Sequence, residues 1–200
     1  RRHPAAGAGR DTGQGHVRRI AAVGLAGLAL AGAALASSTA REPSRMVVQL
    51  GDLPTGFTAT SRRERPNATV ARETGVPLRT LRGWGRVDGF EVAFDRPVDP
   101  AAPPRGAAMV TTTVSTYGTA KGLRLAYAAS VERIARAGKP RHVPLALSGK
   151  LGDAARLWRT RFSQDGVPVV LFTLVWRSAG ALSHVAIAGV AGRLTAGDAL

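Results

Sequence analysis

Two histidines and one aspartate are the residues from which a hydrolytic site could be built. His142 and His184 are the histidines that follow the first forty residues, and Asp153 stands in a Gly-Asp pair. A serine hydrolase needs a nucleophile, a histidine base and an acid that orients the base. No Gly-x-Ser-x-Gly elbow is present, and an aspartate in this setting usually caps a turn. The sequence therefore predicts no catalytic residue; a hydrolase that uses Asp153 with His184 or His142 is the alternative.

Metal and cofactor chemistry have no support in the motifs. The chain has no cysteine, which excludes thiolate metal sites and thiol nucleophiles. The two later histidines lack metal-ligand spacing. No glycine-rich loop is followed by Lys-Ser or Lys-Thr, the arrangement that cradles nucleotide phosphates. We therefore expect neither a metal nor a cofactor.

Four arginines and one tryptophan are the candidates for ligand binding. Arg159 and Arg161 are two residues apart on a predicted strand, so they share one of its faces and could form an anion-binding strip. Arg156 precedes them, and Arg177 ends the next strand. Trp84 lies between two glycines and could stack on a ligand. A solvated face for the arginines and core packing for the tryptophan are the structural alternatives.

The chain is strongly basic, with a formal net charge of +15 at pH 7. After residue 40, 23 lysines and arginines face 12 aspartates and glutamates. A compositional bias toward arginine explains this excess most simply. The functional alternative is a basic face for an acidic envelope polymer, lipid headgroups or a membrane protein. The arginines are scattered singly and only 5% of residues are aromatic, which argues against nucleic acid as a partner.

An uncharged run over residues 20–36 follows Arg18 and Arg19 and indicates an export signal. The run falls short of the ~20 apolar residues that a membrane span needs. We expect residues 1–40 to form a signal peptide cleaved after Ala36 or Ala40, with an uncleaved signal anchor as the alternative. Either arrangement places the rest of the protein outside the cytoplasm, secreted or tethered to the membrane. A Sec signal is favoured over a twin-arginine signal.

The rest of the chain divides into a predicted linker over residues 41–46 and a single predicted domain over residues 47–200. Thr195 is typical of a helix N-cap, so we expect a last helix there that the sequence contains only in part. Apolar residues at i, i+4, i+8 and i+11 predict a helix over Ala120–Ala137, and two short helices precede it. Residues 62–67 are charged and predict a solvated loop. Alternation, β propensity and turn signals predict strands over residues 57–61, 86–94, 109–117, 143–147, 155–162, 167–176 and 181–190, the first and fourth being the weakest.

The predicted fold class is α+β: an antiparallel β-sheet of about five to six strands packed against one long and several short helices. The last three predicted strands form a meander, because Asp165-Gly166 and Ser178-Ala179-Gly180 both read as tight turns. The long helix is expected to pack across the sheet.

Three groups of residues resemble a known set of exported domains. They are Asp52-Leu53-Pro54-Thr55-Gly56-Phe57, the strand–helix unit from Val110 to Ala137, and Leu151-Gly152-Asp153-Ala154-Ala155 followed by Val175-Trp176-Arg177. Over about residues 46–200 the chain resembles exported actinobacterial-type domains of unknown function, similar to mycobacterial sensor-type and lipoprotein-type domains with a PsbP-like arrangement. The resemblance implies an extracytoplasmic, non-catalytic binding or sensing domain and supplies no site residues. The chain lacks the disulfide cysteines of the sensor-type members and the lipobox cysteine of the lipoproteins.

The function expected from these observations is non-catalytic binding or sensing at the bacterial cell envelope. The charge surplus predicts an anionic or amphipathic ligand, held in a groove between helix and sheet with arginines at its mouth. A structural or partner-binding envelope subunit without a small ligand is one alternative, and the hydrolase described above is the other.

Overall fold

The computed structural model describes residues 42–99, 101–138 and 140–198. The predicted export signal over residues 1–40 lies outside these ranges. The predicted linker contains a turn of 3-10 helix, Pro43–Arg45, and a second turn follows at Leu50–Asp52. Among the helices in the described ranges, none has the length and hydropathy to span a membrane.

The described residues form seven strands and three α-helices. The strands are β1 Thr58–Glu64, β2 Arg86–Asp95, β3 Met109–Tyr117, β4 His142–Leu145, β5 Ala154–Gln164, β6 Val167–Ser178 and β7 Ala181–Val190. The helices are α1 Asn67–Thr74, α2 Leu78–Gly83 and α3 Ala120–Arg136.

All seven strands belong to one sheet in the order β1-β2-β3-β7-β6-β5-β4, and each neighbouring pair is antiparallel. The sheet consists of two meanders, β1 to β3 and β4 to β7, which join where β3 pairs with β7. Helix α3 carries the chain from the end of β3 to β4 at the far edge. As a result, β1 and β4 are the two edge strands.

The predicted fold class was wrong. The described domain is a single seven-stranded antiparallel sheet with few helices, and not a sheet of five to six strands packed against one long and several short helices. The discrepancy comes from the edges. Strand β1 is exposed along nearly its whole length and β4 is only partly covered, so neither needs the apolar alternation by which a strand is recognised in a sequence. Part of the predicted loop over residues 62–67 is the second half of β1.

The two faces of the sheet are covered differently. Helices α1, α2 and α3 cover one face, called here the helix face, and enclose the largest apolar cluster with side chains of β3, β5, β6 and β7. The opposite face is covered by the ends of the described chain. Met46, Val47 and Phe57 pack on β2 and β3, and Leu194 packs on β5 and β6.

Helix α3 forms where its sequence predicts it. The Thr119 hydroxyl accepts a hydrogen bond from the Gly122 N–H at 3.1 Å, which caps the first turn. Leu123, Ala126 and Ile134 are buried on the face toward the sheet. Helix α3 therefore covers the centre of the helix face with mostly apolar side chains, and the polar residues Thr173 and His184 on that face are buried.

Candidate functional site

Strand β5 carries three of the five predicted binding residues, but on two faces of the sheet. Arg156 lies opposite Val175, which belongs to the helix-face cluster. Arg159 lies opposite Phe172, which belongs to a cluster on the other face of the sheet. Arg161 is two residues further along β5 and lies on that same face. The register thus places Arg159 and Arg161 on one face, as their spacing predicts, and separates Arg156 from them.

The remaining two predicted residues belong to the helix face. Trp84 follows α2 and packs, half-buried, against the helix-face cluster. The Arg177 guanidinium lies 5.9 Å from the centre of the Tyr127 ring on α3, and its Nη1 is 3.6 Å from an oxygen of Asp153. The structure therefore does not bring Trp84 and Arg177 together with Arg159 and Arg161 in one site.

Asp153 is likewise not brought to either histidine. It is exposed, pairs with Arg177 and donates its backbone N–H to the Arg177 carbonyl at 2.8 Å. His142 lies opposite Thr160, about 23 Å along the chain direction of β5 from Asp153 at 3.3 Å per residue. His184 is buried in the middle of β7. Asp153 thus has the turn-stabilising contacts expected of a structural residue.

Three arginines meet on one face of the β4–β5 hairpin, at the edge of the sheet. Val143 pairs with Arg159, and His142 pairs with Thr160, so the register continued by one residue places Arg141 beside Arg161. We call Arg141, Arg159 and Arg161 the basic cluster. None of them has an acidic partner within the described residues. Like charges that face each other across two strands repel, so an anion placed between them is stabilised.

A cavity of about 320 Å³ lies in the loop of the same hairpin. Residues 145–147 and 149–156 line it, and their charged members are Lys150, Arg156 and Asp153, whose carboxylate pairs with Arg177. Gly152 has φ +56°, and a Cβ there would lie 2.4 Å from the Arg177 carbonyl oxygen, so glycine is required for the turn. The cavity lies at this loop and not between helix and sheet, where we expected a ligand groove.

The opposite edge of the sheet holds a charge network that we did not predict. Arg65 is only 1% exposed and donates to carboxylate oxygens of both Glu73 and Glu91. Arg63 bridges the same two acids, with its Nε 2.7 Å from Glu91 and its Nη1 2.9 Å from Glu73. The one signal in the sequence is Glu91, a charged residue between the apolar residues Phe90 and Val92 in the middle of a strand. Both arginines pair with both acids, so this network joins α1 to the sheet; the Nε of Arg65 is the one buried donor in it without a partner within the described residues.

Burial also shifts the pKa values of two basic groups on the helix face. Desolvation lowers the pKa of Arg86 to about 10, and its guanidinium donates to the Ser115 hydroxyl at 3.2 Å and to the Asn67 side-chain oxygen at 3.1 Å. Desolvation, with the nearby charges of Arg65 and Arg133, lowers the pKa of His184 to about 3. His184 is therefore neutral at physiological pH.

Within the described ranges, no group of three or more histidines and acids is arranged to hold a metal ion. No protein-family model matches the chain, and no curated protein or solved structure matches it. The basic cluster is the candidate functional site, because its three arginines share one face of the hairpin and have no acidic partner within the described residues.

Proposed function

We propose that this protein is an extracytoplasmic, non-catalytic domain that binds an anionic ligand at its β4–β5 hairpin. The basic cluster carries the proposal. Arg141, Arg159 and Arg161 share one face of an edge hairpin, and none has an acidic partner within the described residues. The leader over residues 1–40 is the support for an extracytoplasmic location.

The chemistry of arginine suits repeated negative charge. A guanidinium presents five donors in a planar fork that matches carboxylate and phosphate oxygens. Neighbouring side chains on one face of a hairpin are about 5 to 7 Å apart, so the cluster can engage several anionic groups at once. Lys150 at the loop cavity adds a further positive charge to the same hairpin. The ligand class is thus an anionic polymer or an array of anionic headgroups.

The positions of the candidate catalytic residues support a binding role. The Asp153 carboxylate pairs with Arg177. The ring Nδ1 of His142 is hydrogen-bonded to the Thr160 hydroxyl at 2.6 Å. A catalytic base must come within hydrogen-bond distance of the group it deprotonates. Neither contact presents a base beside a nucleophile and an acid.

The experiment is a binding titration of the purified protein against two probes, polyphosphate and vesicles rich in phosphatidylglycerol, at low and at physiological ionic strength. The test variant combines Arg141→Gln, Arg159→Gln and Arg161→Gln. We expect it to lose about tenfold or more in affinity, since each arginine near an anionic surface contributes about 1 kcal/mol.

The matched control combines Arg72→Gln, Arg79→Gln and Arg82→Gln. These residues are exposed on α1 and α2, lack acidic partners within the described residues, and carry the same total charge. If both triple variants lose the same affinity, binding depends on the net charge of the protein and not on the basic cluster. A wild-type protein that binds neither probe would overturn the proposed function.

A further inference from the structure

Three polar side chains beneath α3 have no hydrogen-bond partner within the described residues. They are Ser130 on α3, Thr173 on β6 and His184 on β7, with fractional exposures of 0%, 2% and 7%. Both ring nitrogens of His184 and both hydroxyl oxygens are without a partner. Ser130 does not even use the carbonyl one turn earlier in its helix, a common partner for helical serines.

The topology brings these side chains to one place. His184 pairs with Val175, and Thr173 lies two residues away on the same strand, so the two polar side chains are diagonal neighbours on the helix face. Helix α3 packs on β6 and β7, and Ser130 is buried on the face toward them. Arg133, one helical turn from Ser130, is close enough to His184 for its charge to act on the ring.

Leaving these groups unpaired is costly, because each gives up its hydrogen bonds to water on folding. A neutral imidazole has one donor and one acceptor, and each hydroxyl can do both. We infer that one or two water molecules are bound between α3 and strands β6 and β7, bridging Ser130, Thr173 and His184. Buried waters typically make about three hydrogen bonds to groups of this kind.

The surroundings of these three side chains favour a bound molecule that is small and uncharged. All three side chains are more than nine-tenths buried, so a molecule bound between them must be small enough to lie within the packed interior. The positive charges of Arg65 and Arg133 act on the His184 ring, and they disfavour a cation at this place. Thr113 lies directly opposite His184 on the neighbouring strand, and its hydroxyl is 3.3 Å from a carboxylate oxygen of Glu91. The negative charge of Glu91 disfavours an anion at this place. Water fits both conditions.

The sign of one substitution tests the inference. Thr173→Val keeps the shape of the side chain and removes the hydroxyl. If the hydroxyl binds a buried water, the variant loses a hydrogen bond and its Tm falls by about 2–4 °C. If the site is dry, the variant removes an unpaired buried polar group and its Tm rises.

Thr112→Val is the matched control. Thr112 is also buried, at 3% exposure, and its hydroxyl also lacks a partner within the described residues. It lies on the opposite face of the sheet, and the residues directly across from it on both neighbouring strands are Val92 and Val185, which offer a water no hydrogen bond. We expect its Tm to stay constant or rise.

A second measurement detects the water itself. Nuclear Overhauser contacts between long-lived water and the ring protons of His184 are expected in the wild-type protein and should weaken in Ser130→Ala. A Thr173→Val variant that is stabilised as much as Thr112→Val, or a His184 ring without contacts to long-lived water, would overturn the inference.

Discussion

The two edges of the sheet use arginine in opposite ways. At the β1 edge, Arg63 and Arg65 are held by Glu73 and Glu91 in a network that buries Arg65 and leaves Arg63 partly exposed. At the β4–β5 edge, the basic cluster has no acidic partner within the described residues. The residue type is the same, so its role depends on whether the fold brings an acid to it.

The energetics of burial explain the difference. A guanidinium that is 1% exposed, like that of Arg65, is tolerated only when carboxylates and hydrogen bonds replace its water. The exposed guanidinium of Arg161 keeps its water and needs no partner. A buried, paired arginine therefore contributes to the stability of the fold, and an exposed, unpaired arginine remains available to bind an external anion.

The largest expected effect comes from breaking the paired edge. Arg65→Met removes the buried cation between Glu73 and Glu91, so that Arg63 alone remains as the ion-pair partner of both carboxylates. We expect the free energy of unfolding, measured by urea titration, to fall by about 3–5 kcal/mol, the usual cost of removing one partner from a buried ion pair. Arg161→Met is the control at the other edge and should change it by less than about 0.5 kcal/mol. Similar effects at both edges would invalidate the comparison.

Acid should destabilise the protein through His184, which lies between the two edges. Its folded pKa of about 3 is below the unfolded value near 6.5, so the unfolded state binds a proton first as the pH falls. This contribution is complete above pH 6.5 and is lost toward pH 3, at about 1.4 kcal/mol per pH unit. His184→Gln should flatten the curve of unfolding free energy against pH between 6 and 4. An unchanged slope would assign the acid response to other groups.

Gly89 tests how closely the paired side of the sheet is packed. A Cβ at Gly89 would lie 2.7 Å from the Val114 carbonyl oxygen and would overlap the Arg86 guanidinium. We expect Gly89→Ala to displace Arg86 from Ser115 and to lower the free energy of unfolding by about 2 kcal/mol, as overpacking does. Gly83→Ala is the control, because nothing lies within 4 Å of its added Cβ. Equal Tm values for the two variants would show that the sheet accommodates the methyl group.

The smallest effect has the opposite sign. Arg161→Thr removes one of two arginines that the register places side by side, and threonine favours a strand. We expect a gain of about 0.5 kcal/mol in the free energy of unfolding at low ionic strength, from relief of like-charge repulsion. The gain should shrink as salt is added. A loss of stability would mean that Arg161 has a stabilising role in the fold.

Local patterns predicted much of the sheet and α3. The strands over residues 109–117 and 181–190 and the helix beginning at Ala120 lie where β propensity, apolar periodicity and the Thr119 cap place them. These signals act between neighbours in the chain. The second half of β1 carries charges and gives no such signal, because its acidic partners are 10 to 28 residues away.

For the candidate site, spacing was sufficient to place Arg159 and Arg161 on one face. It could not add Arg141, because that residue reaches the cluster only through the pairing of β4 with β5. It also grouped Arg156, Arg177 and Trp84 with them, whereas the register and the helix packing assign these three to the other face.

The sequence by itself determined the positions of the central strands and of α3, since side-chain alternation, helix capping and glycine turns depend on residues within a few positions of one another. Only the tertiary structure decided which arginines are neutralised, which polar groups are buried beneath α3, and where the cavity lies. Those outcomes depend on contacts between segments far apart in the chain, and the pairing of the two meanders through β3 and β7 creates them.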